Sequence, residues 1–319
     1  MVKKLSIILS FLLSIGLVWL FAKNIDFIEL KNTFLGANIY YVTLSGVLML
    51  LSHILRAKRW VMLIEPFQKG VHLTAALVAF LSGTLSNFVI PHSGDVLRCK
   101  ILQKTENCQP VSLFGTVLTE RILDSLILGV MGLSVFLINL VSGVSMLDFF
   151  APYFTSINWP ILVAGLLILL GIVFYKKIKN ILPGYFKNTL NNLKKGILSV
   201  KKLESKSDFL IYCVCIWVLY YLSTLLILRA LPVDASVGLL PVLAVLVMGS
   251  IGWAGPTQGG VGFFHLLVAN TLMFFGYTQK MGIESVIFLH AIFTFFDVVF
   301  GLVALAFVFK QSFDLSTAQ

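Results

Sequence analysis

Several of this chain's few charged residues stand inside apolar runs, where water is scarce. One such run contains Thr119-Glu120-Arg121-Ile122-Leu123-Asp124. With a helical rise of roughly 1.5 Å per residue, Glu120 lies about 12 Å into a span that begins at 112. Glu120 and Asp124, four apart, share a helical face, whereas Arg121 points about 100° away, free to face a cavity or to pair with another helix. Asp297 lies similarly deep in the last apolar run. A charge near a bilayer midplane costs at least ~2.5 kcal/mol on insertion scales, so such residues are paired and frequently functional. A salt-bridge network that merely orders a helical bundle accounts for them as well. Arg56, Arg59 and Trp60 end the second apolar run, and Asp95 and Arg98 follow a Gly/Pro break. Arginine forks bind phosphate oxygens bidentately. Arg56, Arg59 and Trp60 also stand where snorkelling and aromatic-belt residues anchor a helix end.

Two breaks supply the remaining chemistry. Apolar sequence stops at Pro91-His92-Ser93-Gly94 and again at Gly255-Pro256-Thr257-Gln258-Gly259-Gly260-Val261-Gly262. Unwound backbone at membrane depth is tolerated only where protein or a polar cavity covers it. Each break opens a helical segment: Ser93 is expected to cap the stretch from Gly94 to Ile101, and Gly260 to Gly262 opens 261–276. Unpaired N–H groups at such starts attract phosphate or carboxylate. The candidate headgroup site is therefore Arg98, Arg121, Ser93, Gly94, Gly259, Gly260 and Gly262. Asp95, Glu120, Asp124 and Asp297 are its supporting charges, and Arg56, Arg59, His92 and His265 are secondary candidates. Glycine and proline that kink helices for packing are the competing account. His92 and His265 flank the breaks as polar wall residues or proton relays. With His53 and His290 they are scattered rather than spaced as metal ligands, so neither metal nor cofactor is expected. The four cysteines suggest no disulfide framework.

The elements that must position these residues are membrane helices. Of 319 residues 58% are hydrophobic and 12% charged, about half the charge of a soluble globular chain. The expected architecture is all-α, a single polytopic membrane bundle over 1–319 without a soluble catalytic domain. Six full spans are expected at 5–22, 38–55, 112–141, 158–175, 209–231 and 284–309, the first a retained span rather than a cleaved signal. The interrupted regions 72–90 and 236–276 are re-entrant, or the second crosses twice to give eight spans. The formal charge of +10 reads as topology rather than nucleic-acid binding, because the lysines cluster in short loops. Segment 176–206 holds nine lysines against Glu204. It reads as an amphipathic helix on the inner leaflet, able to gather anionic lipids. Placing it and the loop after 55 inside makes 72–90 re-entrant from the cytoplasmic face and puts both termini in the cytoplasm. A bacterial inner membrane suits this chain. The two breaks share Pro-x-x-Gly, the outline of an inverted repeat. No P-loop, nucleophile elbow or His-Glu-x-x-His motif is present.

Four ordered motifs span about 38–309: Arg56-x-x-Arg59-Trp60, Asn87-Phe-Val-Ile-Pro-His-Ser-Gly-Asp-Val-Leu-Arg98, Glu120-Arg121-x-x-Asp124, and Pro256-x-x-Gly-Gly-x-Gly262. Together they resemble the lysylphosphatidylglycerol synthase transmembrane region family, a flippase-like group. The resemblance implies a bundle with broken helices that translocates or presents a lipid. In multidomain relatives this module moves an aminoacylated phospholipid made by a separate soluble domain. Other relatives are associated with polyprenyl-phosphate sugar or hopanoid pathways. The expected partners are membrane lipids and a lipid-modifying enzyme of the same pathway. A membrane-embedded transferase or accessory subunit acting on a polyprenyl-phosphate sugar is the alternative. The family pattern often places Glu where this chain has His265; an imidazole can donate to phosphate, which leaves room for a cargo more anionic than an aminoacylated lipid.

Overall fold

A computed structural model of the chain describes residues 27–141, 198–232 and 237–317, with positions 11, 16 and 196. The spans expected at 5–22 and 158–175, and most of the lysine-rich segment 176–206, lie outside the described residues. Among those described, nine α-helices and no strands occur: α1 (Phe27–Leu35), α2 (Ile39–Ile64), α3 (Leu73–Ser86), α4 (Gly94–Glu106), α5 (Pro110–Val141), α6 (Lys206–Ala230), α7 (Leu239–Trp253), α8 (Phe263–Phe274) and α9 (Gln279–Thr317). Four of them, α2, α5, α6 and α9, are long and apolar enough to cross a membrane.

The long helices cover the expected spans, with α9 overrunning 284–309 at both ends and α2 overrunning its own at one. The run expected to stop at 55 continues to Ile64, because Arg56 and Arg59 find partners inside the bundle rather than at its edge. Asn38 caps α2 through the Tyr40 N–H, 3.0 Å away. Its own N–H donates to the Ala230 carbonyl at 2.8 Å, and Ser223 Oγ donates to the Ser45 carbonyl at 3.0 Å. The start of α2 therefore lies beside the end of α6, and the two helices run antiparallel.

The interrupted regions are helical hairpins. Helices α3 and α4 have 14 and 13 residues, and α7 and α8 have 15 and 12. At roughly 1.5 Å per residue none reaches the ~20 residues that a bilayer core requires. Each hairpin is closed at its base: Gln68 Nε2 donates to the Glu106 carbonyl at 2.7 Å, and the Gly238 N–H donates to Tyr277 Oη at 3.2 Å. The first base joins the end of α2 to the start of α5, while the second joins the end of α6 to the start of α9. Since α2 and α6 are antiparallel, the hairpins enter from opposite faces. Long helix, hairpin, long helix thus occurs twice with inverted direction, which makes 236–276 a re-entrant pair rather than two crossings.

Close approach within the first hairpin requires glycine. A Cβ on Gly83 would sit 2.7 Å from the Gly94 carbonyl oxygen, so any side chain there must push α3 and α4 apart. Beside the hairpin, fully buried Trp60 donates from Nε1 to Thr116 Oγ1 at 2.9 Å, joining α2 to α5. Thr116→Val would leave that N–H buried and unpaired at similar side-chain volume. The expected loss is ~1–3 kcal/mol, read as a lowered unfolding midpoint in detergent; an unchanged midpoint would mean that the indole finds another acceptor.

Candidate functional site

The hairpin tips meet. Seven residues, 87–93, separate α3 from α4, and at their start the Asn87 carbonyl accepts from the Gly259 N–H of the second hairpin at 3.3 Å. The Asn87 side chain works in the other direction, its Oδ1 accepting from the Gly94 N–H at 2.8 Å. Asn87 therefore caps α4, and the capping expected of Ser93 is corrected: Ser93 Oγ donates instead to the Ser86 carbonyl at 3.0 Å. Phe88 packs edge-on against Trp253 with centroids 5.9 Å apart. Left-handed backbone shapes both tips, at His92 with φ 58° and at Gly259, Gly260 and Gly262 with φ 55°, 73° and 86°.

The second break is held by two imidazoles. His290 Nε2 donates to the Gly259 carbonyl at 2.8 Å, and its ring stacks on Trp253 at 5.0 Å. His265 Nδ1 accepts from the Gly262 N–H at 3.2 Å. The expectation of an unpaired N–H at Gly262 is therefore corrected, because the third residue of α8 reaches back to satisfy it. His265 and His290 lie ring to ring at 4.6 Å.

Between the hairpins lies a cavity of about 560 Å³. Both tips contribute to its wall, as do all four long helices, which supply Arg56 from α2, Arg121 and Asp124 from α5, Trp217 and Tyr220 from α6, and Asp297 from α9. From the tips come Gly94, Asp95 and Arg98 of the first hairpin, with His92 before them, and Thr257 and Gly259 of the second.

Four guanidinium groups and three carboxylates form one network along this wall. Arg59 forks onto Asp124, Nη1 to Oδ1 at 2.7 Å and Nη2 to Oδ2 at 3.0 Å, and stands 3.6 Å from Glu120 Oε1. Arg98 Nη2 lies 2.8 Å from Glu120 Oε2 and 3.3 Å from Asp95 Oδ1. Arg121 forks onto Asp95 at 3.1 and 2.8 Å. Arg56 donates to Tyr220 Oη at 3.0 Å and approaches Asp124 Oδ2 at 3.4 Å. Aromatic faces cover the cations: Arg98 lies 4.7 Å over Trp60 and 5.7 Å from the Phe80 centroid, and Arg56 lies 5.0 Å over Phe80. Such contacts stabilise a guanidinium that water cannot reach.

Burial sorts these residues. Arg59, Glu120 and Trp60 are fully buried and Arg98 is 2% exposed, so Arg59 and Trp60 are interior ties rather than the boundary anchors that their position suggested. The Arg121 side chain is 51% exposed and marks the cavity rim. Asp297, expected beside the arginines, pairs instead with His53, Oδ1 accepting from Nε2 at 3.0 Å. His53, Asn87, Trp217, Tyr220 and Thr257 were not among the expected site residues. Asn87 and Thr257 stand inside the motifs at the two breaks, and His53 stands three residues before Arg56, on the same helical face, whereas Trp217 and Tyr220 lie in an apolar run without a signal.

The model of the lysylphosphatidylglycerol synthase TM region family matches residues 7–301. No curated protein and no solved structure matches the chain. With four long apolar helices, two opposed hairpins and a family match over nearly its whole length, the chain is an integral membrane protein that belongs to the lysylphosphatidylglycerol synthase TM region family.

Proposed function

We propose that this protein is a flippase-like transporter that takes the phosphate-bearing headgroup of a lipid into the cavity between its hairpins and passes it between leaflets. One observation carries the reading: hairpins entering from opposite faces meet tip to tip at a cavity whose wall holds Arg56, Arg98 and Arg121. A headgroup reaching the tips from one face needs only a shift of the tip contact to be exposed to the other. Arg121, half-exposed at the rim, makes first contact; Arg98 receives the phosphate deeper. Asp95, Glu120 and Asp124 hold the guanidinium planes in fixed orientations, so little is lost in ordering them when an anion arrives. On this reading the protein acts beside an enzyme that makes or consumes the lipid, in a bacterial inner membrane with both termini cytoplasmic.

Purified protein in liposomes with a fluorescent short-chain anionic phospholipid tests this by the rate at which outer-leaflet label becomes protected from dithionite. Wild type should exceed protein-free liposomes. Arg121→Ala removes charge-assisted hydrogen bonds of ~1.5–3 kcal/mol each, predicting a fall of roughly ten- to a hundredfold. Because the side chain is half-exposed, the variant should fold. Wild-type rates no faster than empty liposomes, or an unaffected Arg121→Ala, would overturn the reading.

A further inference from the structure

The polar groups of the cavity wall are not balanced. Each carboxylate that lines the cavity is already paired: Asp95 with Arg121 and Arg98, Asp124 with Arg59 and Arg56, Asp297 with His53. The donors are not all used. Nε and Nη1 of Arg98, Nε of Arg56, Nε1 of Trp217 and Oγ1 of Thr257 are buried without a hydrogen-bond partner among the described residues. All four side chains line the cavity, and Arg98, Trp217 and Thr257 are at least nine-tenths buried. Buried donors of this kind call for a ligand or water to satisfy them. Arg98 and Arg56 both lie within 6 Å of the Phe80 ring, so two cavity-lining guanidinium groups with spare donors share one aromatic neighbour. The three lining arginines, Arg56, Arg98 and Arg121, match the three lining aspartates in charge, so the surplus is one of hydrogen-bond donors.

From this surplus of donors we infer that the cavity selects lipids whose headgroup carries a phosphate anion without a compensating cation, and rejects aminoacylated headgroups. The inference rests on the transport reading above and names its substrate class. One phosphodiester anion supplies acceptors to the spare donors of Arg98, Arg56, Thr257 and Trp217. An ammonium group on the same headgroup would meet no uncommitted carboxylate among the described lining residues, and would lose its hydration beside the arginines. Specificity here comes from what the wall withholds as much as from what it offers.

The test uses the full chain in liposomes with labelled phosphatidylglycerol, which carries one negative charge, labelled lysylphosphatidylglycerol, which carries net positive charge, and labelled phosphatidylcholine as reference. Phosphatidylglycerol should be moved at least about tenfold faster than the lysyl form, a ratio equal to ~1.4 kcal/mol. The paired variant Arg98→Gln with Glu120→Gln removes cation and buried partner together, so it should fold while losing the preference. Ser250→Asp adds a carboxylate to the cavity wall at a half-buried position whose hydroxyl bonds only within its own helix, and should raise the relative rate of the lysyl lipid. Equal or faster movement of the lysyl lipid by wild type would overturn the inference and leave the transport reading standing. Movement of neither charged lipid above phosphatidylcholine would overturn both.

Discussion

Replacing Arg59 with alanine should destabilise this protein by about 3–5 kcal/mol, the penalty of leaving a buried charge without its partner. Arg59 is fully buried and forks onto Asp124 while standing beside Glu120. Without it, Glu120 would keep only Arg98, and Asp124 only the longer contact to Arg56 at 3.4 Å. The comparison with Arg121→Ala makes the prediction sharp, because an exposed pair contributes only ~0–1 kcal/mol. Both arginines fork onto an aspartate, but Arg59 is buried and stands beside Glu120 as well, whereas Arg121 is half-exposed. Thermal unfolding in detergent, followed by tryptophan fluorescence, should show a large drop for Arg59→Ala and almost none for Arg121→Ala. The double variant Arg59→Met with Asp124→Leu should recover much of the loss, since apolar residues of similar volume replace buried ion pairs without penalty. Equal, small shifts for both single variants would mean that water reaches the interior pairs and that the network orders nothing.

The sequence revealed the frame of this fold because membrane physics writes it in composition. Long apolar runs had to become α2, α5, α6 and α9, and Gly/Pro sequence inside the other runs had to leave lipid, which gave both hairpins. What stayed hidden depends on pairing across the chain. Arg59 and Asp124 stand 65 residues apart, and His53 and Asp297 stand 244 apart. Without those partners, Arg56 and Arg59 read as the end of a span at 55, nine residues short of Ile64. Ser93 looked like the cap because hydroxyls commonly cap helices. Asn87, on the far side of a tight loop, reaches the same N–H only because the loop doubles back. The two glycine-rich breaks were legible one at a time, whereas their contact was not, since it rests on antiparallel packing of α2 against α6.

Gly259→Val should cost the second hairpin its place against the first. Gly259 has φ 55°, a left-handed conformation, in which an L-residue loses ~1–2 kcal/mol and a β-branched one is an outlier. The new Cβ would also lie 2.5 Å from Phe88 Cδ1, and overpacking of that kind adds ~1–3 kcal/mol. The two contributions can be separated. In a Phe88→Ala background the steric part vanishes while the backbone part remains, so Gly259→Val should do less harm there than in wild type, the signature of direct coupling. Unfolding midpoints of the four proteins measure this. Identical losses in both backgrounds would mean that the tips do not touch, and would remove the contact on which the proposed transport depends. On the proposed transport reading, a folded Phe88→Ala protein should carry a loosened gate and leak lipid with weaker selectivity in the liposome assay. Faithful, wild-type selectivity in that variant would place the gate elsewhere in the bundle.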